Sequence, residues 1–81
     1  MRIAIRFHGI VGDMIRPKID SLELPEGATL ADLVDVVAEK NAKNAAVLRQ
    51  THFFIDGQMV DRKALLVDGS VVTVMRPMSG G

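Results

Sequence analysis

The chain contains no cysteine, which excludes disulfides, thiolate nucleophiles and zinc sites built on Cys. It also has no excess charge. Ten Lys plus Arg balance ten Asp plus Glu, so no global field is available to grip a phosphate backbone or an anionic membrane, and nucleic acid is not an expected partner. No apolar run approaches the roughly 18 residues of a membrane span. The start, Met-Arg-Ile-Ala-Ile-Arg-Phe-His, alternates instead of forming a signal-peptide core. These absences point to a soluble, cytoplasmic protein with no membrane partner. Internal repeats, linkers and low-complexity tracts are missing too. What is present is 81 residues with 48% hydrophobic and 25% charged side chains, a composition that folds as one small domain and does not stay disordered. A core of this size leaves little room for a deep substrate pocket, so a self-contained multistep enzyme is not expected.

From Arg2 to His8 the sequence alternates strictly, with Ile3, Ile5 and Phe7 on one face and Arg2, Ala4, Arg6 and His8 on the other, the pattern of a half-buried strand. Gly9 and Gly12-Asp13 break it. Ile15 to Leu24 reads as extended chain at an edge, since Pro17 lacks a ladder donor. Its apolar phase slips between Ile19 and Leu22, which marks either a bulge or a late start of the inward-facing strand, with Leu22 and Leu24 as core residues. Pro25-Glu26-Gly27 is a turn, and Thr29 with Asp32 three residues later forms a capping box for a helix beginning at Leu30. Leu30, Leu33, Val34, Val37 and Ala38 share one helical stripe that ends near Asn41 to Asn44. Whether Ala45 to Gln50 forms a further helical turn stays open, because the segment is short.

His52 to Ile55 predicts a strand, Asp56-Gly57 a type I′ hairpin turn, and Gln58 to Val60 the short return. Asp68-Gly69 makes another turn, and Val71 to Met75 is a β-branched closing strand stopped by Pro77. The economical packing is a mixed sheet around one helix, an α+β fold in which the strands before the helix form a hairpin and those after it pair back onto the first. The domain is expected to occupy residues 1–77, with a flexible tail at 78–81.

Few residues carry chemistry of their own. His8 and His52 share the outer face of the expected sheet without an accompanying carboxylate or Cys set, so no metal site is expected. Ser21, Ser70 and Ser79 have no histidine-and-acid partners or nucleophile elbow. Gly9 and Gly12 lack the Lys-Ser/Thr or longer glycine fingerprint of a phosphate loop. The terminal Gly80-Gly81 is different: with glycine at about 7% of residues, such a pair arises by chance at a given place in roughly one chain in 200. Read alone it is a frayed terminus as readily as a signal. Emerging from a final strand, it is slim enough to thread a narrow channel, and Ser79 keeps it slim.

The pattern Leu-Pro-Glu-Gly-Ala-Thr-Leu at 24–30, Asp56-Gly57, Leu66-Val67-Asp68-Gly69 and Met75-Arg76-Pro77-Met78-Ser79-Gly80-Gly81 resembles the MoaD/ThiS family of ubiquitin-like β-grasp sulfur carriers. That family comprises the small subunit of molybdopterin synthase, the sulfur carrier of thiamine biosynthesis and related small protein modifiers. The chain departs from the family's usual Asn-Gly at Asp56-Gly57, from an acid at Ser70 and from Pro-Pro at Arg76-Pro77, which leaves the branch open.

The resemblance implies a β-grasp of about five strands on one main helix. It also implies a carrier, not an enzyme: the Gly81 carboxylate is adenylated by an ATP-dependent, E1-like enzyme, and a sulfurtransferase then leaves a thiocarboxylate. ATP belongs to the activating partner, and no cofactor is bound by the chain. Gly80, Ser79 and Met78 would thread the tail into the partner. In the molybdopterin branch, the leading expectation, the acceptor complex includes the large subunit of molybdopterin synthase. The alternatives are a thiamine thiazole carrier, a protein modifier conjugated through Gly81, and a β-grasp binding module with an inert tail. Strand alternation adds a partner surface: if Ile3, Ile5, Phe7, Phe53, Ile55, Val72 and Val74 face the helix, then Phe54, Val71 and Met75 share the outer face with Arg6, His8, His52 and Thr73. Arg76 extends that patch, either pairing with an acid on the activating enzyme or standing as a solvated charge.

Overall fold

The computed structural model describes residues 1–9, 15 and 18–75. Five strands form one mixed sheet in the order β2-β1-β5-β3-β4: β1 (Arg2–Phe7), β2 (Ser21–Glu23), β3 (His52–Ile55), β4 (Gln58–Val60) and β5 (Val71–Met75). The two longest strands, β1 and β5, lie parallel at the centre, and every other pair is antiparallel. Two helices, α1 (Leu30–Lys40) and α2 (Ala45–Gln50), follow β2, with a 3-10 turn at Ala42–Asn44 between them. None is long and apolar enough to cross a membrane among the described residues.

The core follows from two periodicities meeting. Ile3 and Ile5 of β1, Val72 and Val74 of β5 and Phe53 of β3 occupy alternate positions on the inner face and are buried, while Phe7, Ile55 and Val60 pack against them at the rim. The helical stripe Leu30, Leu33, Val34, Val37 and Ala38 covers that face, as the spacing requires. Both halves of the capping box are made: the Asp32 amide donates to the Thr29 hydroxyl oxygen at 3.4 Å and the Thr29 amide donates to the Asp32 carboxylate at 2.9 Å. Asp56 and Gly57 both have positive φ, 53° and 80°, the geometry of a type I′ turn.

Two readings that the sequence left open are decided here, and one core residue is corrected. Of the Ile15 to Leu24 segment, Ser21 to Glu23 pair with β1, while Pro17 and the expected break at Gly12-Asp13 lie outside the described residues. Leu22 is only half-buried, whereas Ile15, Ile19 and Leu24 join the core. The reason is position: Leu22 pairs with Ile3 on an edge strand, and among the described residues no outer strand closes its free side. The open question of Ala45 to Gln50 resolves as a helix, so α1 does not cover the sheet alone. Leu48 anchors α2 in the core, and the Thr51 hydroxyl donates to the Leu48 carbonyl at 2.8 Å to close its end.

Candidate functional site

Site geometry begins with the central strand. β5 is hydrogen-bonded on both sides, to β1 and β3, so its last residue, Met75, is held firmly at the point where the chain leaves for its terminus. The expected tail residues Arg76, Met78, Ser79, Gly80 and Gly81, with Pro77 and the expected 77/78 boundary, lie outside the described residues.

Around Met75 the outer face of the sheet is built by register. Phe54 lies opposite Thr73 of β5 and Met59 of β4, and Thr73 lies opposite Arg6 of β1, so Met59, Phe54, Thr73 and Arg6 form one row across four strands. Directly opposed residues have Cβ atoms about 4.5–5.5 Å apart. A second row places His52 opposite Met75. The His8 amide extends the β1 ladder by donating to the Val74 carbonyl at 3.0 Å, which puts His8 level with Met75 on its other side. Val71 lies opposite Ala4 and diagonal to Phe54.

Phe54, Val71 and Met75 therefore share one face, with Val71 36% and Met75 41% exposed and Phe54 half-buried among its neighbours. Met59, 59% exposed, belongs to the same patch and was missed by the sequence reading. A signal existed: a two-residue turn at Asp56-Gly57 pairs Ile55 with Gln58 and therefore Phe54 with Met59. Arg6, His8 and His52 are exposed at the rim of this apolar centre. The acid near its far edge, Glu23, accepts from Arg2 Nε at 3.0 Å. An apolar centre with a polar, basic rim is the anatomy of a docking surface and not of a catalytic cleft. Among the described residues no group of three or more His, Asp or Glu could hold a metal ion.

Comparison with known proteins agrees with this geometry. The family model described as ThiS family matches residues 13–81. No curated protein matches the sequence closely. Solved structures do match. A Pyrococcus furiosus protein assigned as molybdopterin converting factor, subunit 1, superposes with a TM-score of 0.83 at 21% identity, covering 96% of this chain and 99% of that one. SAMP1 from Haloferax volcanii gives 0.80 at 13% identity with both chains fully covered. A chain in the complex of subunits 1 and 2 of molybdopterin-converting factor from Helicobacter pylori 26695 gives 0.70 at 20% identity, again with full coverage of both. At these identities the structures establish the fold, a ubiquitin-like β-grasp. Since the family model spans most of the sequence and includes its terminal glycines, the chain belongs to the ThiS family, within the MoaD/ThiS ubiquitin-like sulfur carriers that its motifs resemble.

Proposed function

We propose that this protein carries sulfur as a thiocarboxylate on Gly81 and donates it in molybdopterin biosynthesis. The observation that carries the reading is the family match running through Gly80-Gly81, joined to a fold that holds Met75, the last residue of β5, beside an exposed apolar patch. Docking through Phe54, Met59, Val71 and Met75 would position the activating enzyme at the root of the tail, with Arg76 following. Met78, Ser79, Gly80 and Gly81 then thread into its active site, Met78 as an unbranched, flexible side chain and the small Ser79, Gly80 and Gly81 because they pass where bulkier residues would not.

The E1-like enzyme uses ATP: a Gly81 carboxylate oxygen attacks the α-phosphorus, pyrophosphate leaves, and the acyl-adenylate that forms is a far better electrophile than the carboxylate. Sulfur delivered by a sulfurtransferase at the oxidation level of hydrosulfide attacks the carbonyl carbon and expels AMP. The carrier supplies no acid, base or metal to these steps; it is a cosubstrate. The large subunit of molybdopterin synthase is the acceptor-side partner in this reading, supported by the two-subunit complex solved for the Helicobacter pylori relative. The likeness to SAMP1 supports a second reading, conjugation of Gly81 to lysines of other proteins.

Intact mass of the untagged protein from its own host, with the terminus mapped by fragmentation, separates them. One oxygen replaced by sulfur at Gly81 is the expected result. An unmodified terminus accompanied by high-mass conjugates bearing Gly-Gly remnants would move the assignment to a modifier, and neither would leave a binding module with an inert tail. Within the carrier reading, sulfur transfer to a pterin precursor with the large subunit distinguishes the molybdopterin branch from the thiamine branch.

A further inference from the structure

The two histidines of the outer face have no part in the carrier chemistry, yet strand register sets them on either side of a thioether. His52 of β3 lies directly opposite Met75 of β5. On the other side β1 runs parallel to β5, with Arg6 beside Thr73 and Phe7 beside Val74. The His8 amide continues that ladder by donating to the Val74 carbonyl at 3.0 Å, so His8 comes next to Met75. Phe53 and Val74 are buried on the inner face, and Phe7 packs against the core from the same side. Alternation therefore sends His52, Met75 and His8 outward, and all three are exposed. Imidazole, thioether and imidazole stand in one row on three adjacent strands.

Neighbouring strands lie about 4.8 Å apart, so the two histidine backbones are about 10 Å apart with the methionine midway between them. Imidazoles leaning inward from both sides close that span over the thioether, because each imidazole–metal bond itself takes up about 2 Å. The donor set then selects the metal. Thioether sulfur is a soft ligand that draws Cu(I), and imidazole suits copper as well. Hard donors do not accompany the row: the next outer-face residues are Arg6, Thr73 and Phe54, and the carboxylate of Asp61, which follows β4, accepts from the Lys63 amide of its own turn at 2.8 Å. Among the described residues no three His, Asp or Glu assemble as a metal site, whereas zinc and calcium favour such sets. A singly charged ion also suits a place with the Arg6 guanidinium one row away.

We propose that His8, Met75 and His52 form a binding site for cuprous copper on the outer face of the sheet. Each imidazole coordinates through a ring nitrogen and the methionine through Sδ. The ion binds and leaves as Cu(I), so no electron is transferred. The sheet already fixes the spacing of the three backbones, and binding has only side-chain rotamers to order. Met75 also belongs to the apolar patch, so an ion seated here covers part of that face. The site uses no residue of the tail and stands independently of the carrier chemistry.

The test is an anaerobic titration of the full chain with Cu(I) against a chromophoric chelator, with Ag(I) as a redox-inert probe followed through methionine methyl and histidine ring resonances. The expected result is a single equivalent bound, with the Met75 ε-methyl and the rings of His8 and His52 shifting together. His8→Gln, His52→Gln and Met75→Leu change exposed positions and leave the fold in place; each is expected to weaken binding by about tenfold or more. Met59→Leu, which removes another exposed thioether of the same face, is expected to leave the affinity unchanged. Zn(II) is expected to bind more weakly than Cu(I) by at least about tenfold. Shifts confined to methionines other than Met75, an affinity indifferent to either histidine, a preference for Zn(II), or no binding at about micromolar Cu(I) would each overturn the proposal.

Discussion

Gly57 sits at φ +80° with open space where a Cβ would go, so the cost of a side chain there is backbone strain and not a clash. Gly57→Ala is expected to destabilise the protein by about 1 kcal/mol, seen as a lower urea midpoint with an unchanged slope. Asp56, at φ +53°, is tolerable because Asp and Asn visit the left-handed region more readily than other residues. Asp56→Asn is expected to raise stability by a few tenths of a kcal/mol in the same titration, since Asn-Gly is a preferred pair for this turn. Thr29 contributes differently. Its hydroxyl accepts from the Asp32 amide, one of the donors that a helix start leaves unpaired, and Thr29→Ala is expected to cost about 1 kcal/mol. Exposed ion pairs rank below all of these. Arg2 with Glu23 at 3.0 Å is 70% and 65% exposed, and solvent screening holds such a pair to about 0–1 kcal/mol.

Among the elements, α1 carries the largest share of the burial, with five core residues on one stripe. An 81-residue domain has a total stability of about 4–12 kcal/mol. Leu33→Ala, which empties a site 1% exposed, is expected to remove about 2–5 kcal/mol of that, enough to unfold a large fraction of the protein at physiological temperature. Thermal melting by circular dichroism checks it. The short α2 could not persist alone, because helices under about 12 residues are marginal in water. It is held by Leu48 in the core and by Arg62, whose guanidinium donates to the Arg49 carbonyl and lies 5.9 Å from the centroid of the Phe53 ring. That dependence on distant residues is why Ala45 to Gln50 could not be settled from local sequence, whereas α1, with its cap and stripe, could.

For the whole molecule the two sides of the sheet do different work: one is sealed by the helices, the other presents Phe54, Met59, Val71 and Met75. Met59→Ser with Met75→Ser is therefore expected to change stability by less than about 1 kcal/mol while weakening the proposed complex with an activating enzyme at least tenfold, measured by calorimetry. Deleting Gly80-Gly81 is expected to do the reverse of a core mutation, abolishing sulfur transfer with an unchanged melting temperature. Together these variants separate docking from chemistry. Loss of docking lowers affinity for the partner, and loss of the terminus leaves affinity largely in place but nothing to activate.

Local order was legible before any coordinates. The alternation of Arg2 to His8 assigned the inner and outer faces of β1, the Thr29 and Asp32 spacing placed the start of α1, and Asp56-Gly57 set a turn whose register already paired Phe54 with Met59. The terminal glycines with the motifs at 24–30 and 66–69 pointed to the family, because they are read by backbone conformation and chain end and need no tertiary context. Only the tertiary structure decided the parallel pairing of β1 with β5, the pairing of Ser21 to Glu23 with β1, and the meeting of His8, Met75 and His52 in one row. Those outcomes rest on contacts between residues far apart in the chain, where burial and hydrogen-bond closure across strands override any preference that a short stretch of sequence can express.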